Sequence, residues 1–103
     1  MSLDKSRFAQ IVNEDARLNI LEALNMQPSG QLNETLLDEA LQRCGHNRSR
    51  EWVRQQLKWL ADMGAVTLDE PGNVLVATLT RAGLDHIERK AFLDGVKIPR
   101  PEF

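Results

Sequence analysis

The chain has 103 residues, 42% of them hydrophobic, which suffices for one compact domain but not for two ordinary ones. No apolar run reaches the roughly 18 residues that a membrane span needs. Residues 1–11 are too charged for the apolar part of a signal peptide. We therefore expect a soluble, cytoplasmic protein with a single domain over residues 1–93 and an extended tail over residues 94–103.

Charge is unevenly distributed, although the formal net charge is only −2. Residues 1–42 hold three basic and seven acidic groups, a net charge of −4. Residues 43–58 hold five basic groups and one acidic group, a net +4, and residues 59–103 hold five and seven, a net −2. Because salt screens fields beyond about 8–10 Å, a bound polyanion would sense the positive segment rather than the whole chain.

The first part of the chain has the apolar spacing of a helix. Apolar side chains recur every four residues from Phe8 to Leu24. This spacing predicts one long helix over residues 4–26, or two consecutive helices with a restart near residues 13–15. The run QPSG that follows opposes helix and favours a turn. The next residues, 31–32, suffice only for a short edge pairing of strands.

The next two predicted helices form a helix-turn-helix unit. Asn33 suits an N-cap, and an amphipathic pattern predicts a helix over residues 33–44 that Gly45 ends in a left-handed conformation. Ser49 then caps a third helix over residues 49–63. Two helices joined by a tight turn that contains glycine are typical of this unit.

The third predicted helix has one apolar and one basic face. Its apolar stripe requires burial, and Trp52 and Trp59 beside the stripe are expected to be half-buried. If both were exposed, they would instead indicate a protein interface. The opposite face would suit an anionic partner, or would simply be solvated. Together with the entrance to the helix, the residues of this face are Arg48, Ser49, Arg50, Arg54, Gln55 and Lys58.

After the third helix the periodicity changes from helical to strand-like. Alternation over residues 65–69, the turn sequence EPGN and a β-branched run over residues 73–79 predict a two-stranded β-hairpin. Thr80 suits the N-cap of a last helix that continues to about Leu93. Gly83 in that helix is expected to permit close packing.

The chain offers little for metal chemistry or catalysis. Its single cysteine, Cys44, rules out an internal disulfide and is expected in the core near a helix end. A zinc site needs about four converging ligands, whereas the only histidines are His46 and His86, and His86 is expected at the surface. Phosphate-loop and nucleophile-elbow patterns do not occur. We therefore predict no metal, no cofactor and no enzymatic activity.

The predicted order, helix-helix-helix-hairpin-helix, resembles a winged helix-turn-helix domain, a mainly α fold with a β-hairpin. The run LKWLADMGAVTLDEPGNVLVATLTRAG is similar to the corresponding pattern of small regulators of that superfamily. More narrowly, EDARLNILEAL, HNRSREWVRQQLKWLADMGAV and LTRAGLDHI resemble the small arsenic-repressor-like proteins of Mu-like phages and prophages.

The resemblance implies a sequence-specific regulator that binds double-stranded DNA and places its third helix in the major groove. Arg54 would bind a guanine edge and Gln55 an adenine edge through paired hydrogen bonds. Arg48, Arg50 and Lys58 would hold phosphates, which position the protein without reading sequence. The remaining positions that would face DNA are Ser49 and Glu51.

The tip of the predicted β-hairpin, the wing of such a domain, leads to a second hypothesis. This tip carries Asp69 and Glu70, which phosphate would repel. The alternative is therefore a winged-helix module that binds a protein partner through its third helix and acidic wing, and not DNA. For the DNA-binding protein we expect a homodimer, because two copies on neighbouring half-sites gain avidity. The residues expected at the dimer interface are Phe8, Ile11, Val12, Leu84, Ile87 and Phe92.

Overall fold

A computed structural model describes residues 4–101 of the chain. Over these residues the elements are α1 (Lys5–Asn25), β1 (Gln31–Asn33), α2 (Glu34–Arg43), α3 (Arg50–Asp62), β2 (Val66–Asp69), β3 (Val76–Leu79) and α4 (Arg81–Ile87). The three strands form one antiparallel sheet in the order β1-β3-β2. The protein is therefore mainly helical with a small sheet, as predicted. The ends of the predicted domain and tail, residues 1–3 and 102–103, lie outside the described residues.

Helix α1 is continuous over 21 residues, so the alternative with a restart near residues 13–15 is wrong. Asp4 caps the helix by accepting the amide N–H of Ser6 at 3.0 Å. Residues 4–11 are all exposed, so the domain is built on the C-terminal half of α1. The buried residues of that half are Ala16, Leu18, Ile20, Leu21 and Leu24. Within the described part of the chain, no helix is long and apolar enough to cross a membrane.

Helices α2 and α3 begin and end where local sequence predicts. The side chains of Asn33 and Ser49 each accept an amide N–H from the first turn of the following helix, at 2.9 and 3.1 Å. Gly45 and Gly64 follow the two helix ends with φ of 93° and 78°, a region that strains other residues. These four residues fix the lengths of both helices and of the turn between them.

Strand β1 gives the hairpin a third strand. Gln31 pairs with Thr78 and Asn33 with Val76, while β2 pairs with the other edge of β3. The expected edge pairing of residues 31–32 is thus confirmed and extends by one residue. Because an isolated two-stranded hairpin is only marginally stable in water, β1 and the helices behind the sheet stabilise it.

One core joins the helices to the sheet. Helix α3 contributes Val53, Leu57 and Leu60, all at most 1% exposed. Trp52 and Trp59 are partly buried and pack against this core, which confirms the half-buried position predicted for them. The remaining core side chains outside α1 are Leu37, Leu41, Ala65, Val66, Leu75, Ala77 and Val96.

Helix α4 is shorter than predicted, ending at Ile87 and not near Leu93. The reason is His86, which is fully buried and not at the surface as predicted. Its Nδ1 accepts the N–H of Leu93 at 2.9 Å, so Nε2 carries the proton and donates to the carbonyl of Lys97 at 2.9 Å. The chain must turn back to make both bonds, and it does so through Arg89, whose φ is 63°.

Residues 94–101, the tail, have no regular secondary structure but pack on the domain. Val96 is 5% exposed, and the amide of Lys97 donates to a carbonyl of α1 at 3.2 Å. Gly95 lies against the ring of Trp59 and accepts a hydrogen bond from Arg17 at 2.9 Å. The tail therefore joins α1, α3 and α4.

Cys44 is exposed, so its predicted place in the core is wrong. It lies at the C-cap of α2, where the chain leaves the helix. The buried position after the turn belongs to His46, which is 9% exposed and contacts the carboxylate of Asp15 at 2.8 Å.

Gly83 lies where α4 meets the end of α3, and the close packing predicted for it is confirmed. A Cβ here would overlap the carbonyl oxygen of Ala65 and lie 2.7 Å from Cδ1 of Leu79.

Alanine normally stabilises a helix relative to glycine by about 1 kcal/mol. We expect Gly83→Ala instead to lower the free energy of unfolding by about 1–3 kcal/mol, measured by urea denaturation, because the site is overpacked. Ala82→Gly, the reverse exchange at an exposed site of the same helix, is the control and should lower stability only by the propensity difference of about 1 kcal/mol. Unchanged or increased stability of Gly83→Ala would contradict the packing.

Candidate functional site

The outward face of α3 is a ridge of polar side chains. At about 100° per residue, four exposed residues of the helix lie within roughly 60° of one another around its axis. Just before the helix, the guanidinium of Arg48 lies 4.8 Å from the ring centroid of Trp52, a cation–π contact. We call this exposed surface the α3 ridge, and its residues are Arg48, Glu51, Gln55, Lys58 and Asp62.

Two arginines lie on the flank of α3 that faces the hairpin. Arg50 and Arg54 are one helical turn apart, and both contact Glu34, whose side chain is 1% exposed. Arg54 donates from Nε and Nη2 to the two carboxylate oxygens at 2.8 and 3.0 Å, and Arg50 donates at 2.9 Å. The amide of Leu75 adds a further bond at 2.9 Å. The buried carboxylate of Glu34 is therefore paired with two cations and one backbone donor.

The hairpin turn contacts the same arginines. The carbonyl of Asn73 accepts from Arg50 at 2.8 Å and from Arg54 at 2.9 Å, and Glu70 accepts from Arg54 at 3.0 Å. An open groove of about 590 Å³ lies beside these contacts, between the start of α3 and the hairpin turn. We call the five residues the Glu34 cluster: Glu34, Arg50, Arg54, Glu70 and Asn73. The cluster links α2, α3 and the hairpin.

The arginines lower the pKa of Glu34 from its ordinary value of 4.5 to about 2. The hydrogen bonds from Arg54 are the largest cause, and those from Arg50 and the Leu75 amide add to it, while burial opposes them. In return, Glu34 and then Glu70 raise the pKa of Arg54. Glu34 is therefore ionised in the folded protein well below neutral pH.

Glu34 supplies stability that depends on pH. Because its folded pKa of about 2 is below the ordinary 4.5, this stability is complete above about pH 4.5 and is lost as the pH falls toward 2. The difference corresponds to about 3 kcal/mol.

We expect Glu34→Gln to lower the free energy of unfolding by about 3 kcal/mol at pH 7, with the deficit shrinking as the pH approaches 2. Denaturant titrations across this pH range measure both effects.

The control is Glu39→Gln, an exposed change on the same helix, which should leave stability within about 0.5 kcal/mol of the starting protein. A deficit for Glu34→Gln that stays constant from pH 7 to pH 2 would show that the charge of Glu34 is not what stabilises the fold.

The opposite flank of α3 is held by α1 and the tail. The guanidinium of Arg17 lies 3.7 Å from the ring centroid of Trp59. It also donates to the side chain of Gln56 at 2.9 Å and to the carbonyl of Gly95 at 2.9 Å. Gln56 is only 4% exposed. With both flanks of α3 in contact with the fold, the α3 ridge is the face that remains for a partner.

The six predicted DNA-binding residues lie in three different settings. Arg48, Gln55 and Lys58 lie on the α3 ridge, Arg50 and Arg54 lie in the Glu34 cluster, and Ser49 caps α3. The side chain of Arg54 is 20% exposed, against 61% for Arg50. Local sequence does not indicate the role of Glu34, because a carboxylate in the first turn of a helix predicts only a favourable interaction with the helix end. Two arginines one turn apart on α3 were the signal for a carboxylate partner.

The six predicted dimer residues, Phe8, Ile11, Val12, Leu84, Ile87 and Phe92, lie in different settings. Phe8 and Ile11 are 49% and 50% exposed and line a groove of about 270 Å³ on α1. The two residues of α4 are partly buried, and Ile87 packs on the core of its own chain. Phe92 is 50% exposed and packs edge-on against His86. Of the six residues, Phe8, Ile11 and Phe92 are therefore the exposed ones, and Val12 is partly buried.

The acidic and histidine side chains of the described region do not assemble into a metal site. Across residues 4–101, no three His, Cys, Asp or Glu side chains converge as ligands would. Asp15 instead contacts His46 at 2.8 Å and Lys97 at 3.0 Å, which joins α1 to the tail and to the turn after α2.

These features define a small α+β protein with four helices and one three-stranded sheet over residues 4–101. The chain is 44% identical over 91 residues to the uncharacterized protein gp26 of Escherichia phage Mu, covering 88% of this chain and 94% of gp26. It is 30% identical over 96 residues to an uncharacterized protein of Haemophilus influenzae, covering 92% of this chain and 93% of that protein. The chain thus belongs to the family of phage Mu gp26, which confirms the predicted kinship with small phage proteins. No protein-family model and no solved structure matches it.

Proposed function

We propose that this protein is a winged helix-turn-helix regulator of transcription that binds double-stranded DNA for a Mu-like phage or prophage. The observation that carries the proposal is the exposed α3 ridge on the third helix of the order α1-β1-α2-α3-β2-β3. In helix-turn-helix proteins the second helix of the unit lies in the major groove. That groove is about 12 Å wide and admits one α-helix with its side chains. The role includes no catalysis and places the protein in the cytoplasm.

Three cations supply the phosphate contacts in this proposal. Arg48 and Lys58 make no ion pair with any other residue of the described region, and Arg50 is largely exposed beside Glu34. The hairpin tip contributes no cation, and its Glu70 is already bound to Arg54. The phosphate contacts therefore come from α3 and from Arg48, two residues before the helix begins.

We further propose a homodimer formed through the exposed first turns of α1. Phe8, Ile11 and Val12 recur at i, i+3 and i+4, so they form one apolar stripe, in which Phe8 and Ile11 are exposed and Val12 is partly buried. Two copies would place two α3 ridges on neighbouring half-sites, which raises avidity for the duplex.

DNA binding that rests on these cations must depend on salt. We expect the double variant Arg48→Ala/Lys58→Ala to bind duplex more weakly and to reduce the magnitude of the log–log salt slope by about 2, since each lost phosphate contact removes about 0.9. Fluorescence anisotropy with a labelled duplex, from low to physiological salt, measures both quantities.

The matched control is Arg81→Ala/Lys90→Ala, which removes the same charge from exposed sites in and after α4. It should leave the salt slope unchanged. Equal losses in the two double variants would mean that net charge, and not the α3 ridge, determines binding.

The dimer is tested by charging its stripe. We expect the starting protein to sediment as two chains at micromolar concentration and Phe8→Glu/Ile11→Glu to sediment as one, because two carboxylates would be buried in the interface. Met26→Glu/Leu36→Glu changes two other exposed apolar residues and should remain dimeric. A single-chain mass for the starting protein rules out the dimer.

A second candidate function is a docking module for a protein partner. The observation in its favour is the pair of exposed carboxylates at the hairpin tip, Asp69 and Glu70, next to a groove that also contains Glu51. A basic protein surface would suit this tip better than phosphate does. Failure of the starting protein to bind any duplex at low salt would favour this candidate over the first.

A further inference from the structure

We propose that Glu51 and Gln55, not Arg54, are the residues of α3 that read bases. Glu51 selects a cytosine and Gln55 an adenine, while Arg54 is a positioning residue that holds α3 against α2 and the hairpin. This inference rests on the proposed DNA-binding function and names the base edges that the same site recognises.

Arg54 is unavailable for a guanine edge. Its Nε and Nη2 bind both oxygens of Glu34, and Nη2 also contacts Glu70 and the carbonyl of Asn73. Turning this guanidinium into a groove would leave the buried carboxylate of Glu34 with Arg50 as its only cation. Breaking a buried charge pair costs more than one base contact returns. Arg54 therefore stays in the Glu34 cluster when DNA binds.

Glu51 and Gln55 lie on the exposed α3 ridge, whereas Arg54 does not. They are exposed, one turn apart, and about 40° from each other around the helix, in the middle of the α3 ridge. Four residues of helix rise about 6 Å, which is roughly two base-pair steps at about 3.4 Å each. The two side chains are thus spaced to reach neighbouring or next-neighbouring base pairs.

The chemistry of the two side chains specifies their bases. The ionised carboxylate of Glu51 only accepts hydrogen bonds, and in the major groove the donors are the amino groups of cytosine and adenine. Within the described region Glu51 has no ion-pair partner that would neutralise it. A glutamate is the usual partner of the cytosine amino group, and glutamine pairs with both the N6 and N7 of adenine. Against guanine O6 or thymine O4, the carboxylate of Glu51 is repelled, so it also rejects wrong bases.

Glu51 has a structural alternative that the experiment must separate. It lies in the first turn of α3, where a carboxylate interacts favourably with the positive end of the helix. A purely structural Glu51 would affect stability without affecting base preference. Replacing it would then leave the selected DNA sequence unchanged.

The experiment is a selection from random duplexes with the full chain, carried out on the starting protein and on Glu51→Ala, Gln55→Ala and Arg54→Lys. We expect a selected motif that contains a cytosine and an adenine one or two positions apart. Glu51→Ala should lose about tenfold in preference at the cytosine position and should bind unselected duplex more tightly, because a repelled carboxylate is gone. Gln55→Ala should lose the adenine preference, and Arg54→Lys should select the same motif as the starting protein.

The outcomes separate this inference from the function on which it rests. Failure of the starting protein to enrich any duplex would overturn the DNA-binding proposal itself. Enrichment of a motif that Glu51→Ala still selects unchanged would overturn the inference and leave DNA binding standing. Loss of a guanine preference in Arg54→Lys would do the same, since it would show Arg54 at a base edge. Thermal unfolding of each variant, with a midpoint close to that of the starting protein, establishes that the selections compare folded proteins.

Discussion

The buried carboxylate of Glu34 brings three parts of the chain to one point. It begins α2, binds two arginines of α3 and accepts the Leu75 amide beside the sheet. Forming a buried ion pair requires removing charges from water, so such a pair is weak evidence for stability by itself, yet removing one partner is costly. Besides this energetic role, the carboxylate has a geometric one: the hairpin turn and α3 keep a fixed relative position because Arg54 contacts Glu34, Glu70 and Asn73 together.

The opposite flank of α3 completes this arrangement with different chemistry. Arg17 stacks on Trp59 and bonds to Gln56 and to the tail, so a cation–π contact and neutral acceptors replace the ion pairs of the Glu34 cluster. A helix held on both sides has little freedom to rotate about its axis. The fold therefore fixes which side chains of α3 face outward before any partner binds. The proposed reading of single bases in a groove requires such preorganisation.

The extent to which sequence predicted this structure follows from the range of the interactions involved. Asn33, Ser49 and the glycines after α2 and α3 act within a few residues, so helix ends and the exposed face of α3 could be predicted. The length of α4 could not, because the apolar spacing continues past Ile87, while the bonds of His86 to Leu93 and Lys97 turn the chain back. Glu34 and Arg54 are 20 residues apart in the sequence, so local pattern could not predict their ion pair either. Periodicity predicted the outward face, whereas its division into ridge and flank required the folded chain.

The contacts of the tail bear on how the protein folds during synthesis. The imidazole of His86 finds its second backbone partner only at Lys97, and Arg17 finds a carbonyl partner only at Gly95. Domains generally fold as units as the chain emerges from the ribosome. Here the far flank of α3 and the bonds of His86 after α4 are completed only once residues 95–97 have left the ribosome, so the native arrangement around α3 forms after these residues and not when α3 itself emerges.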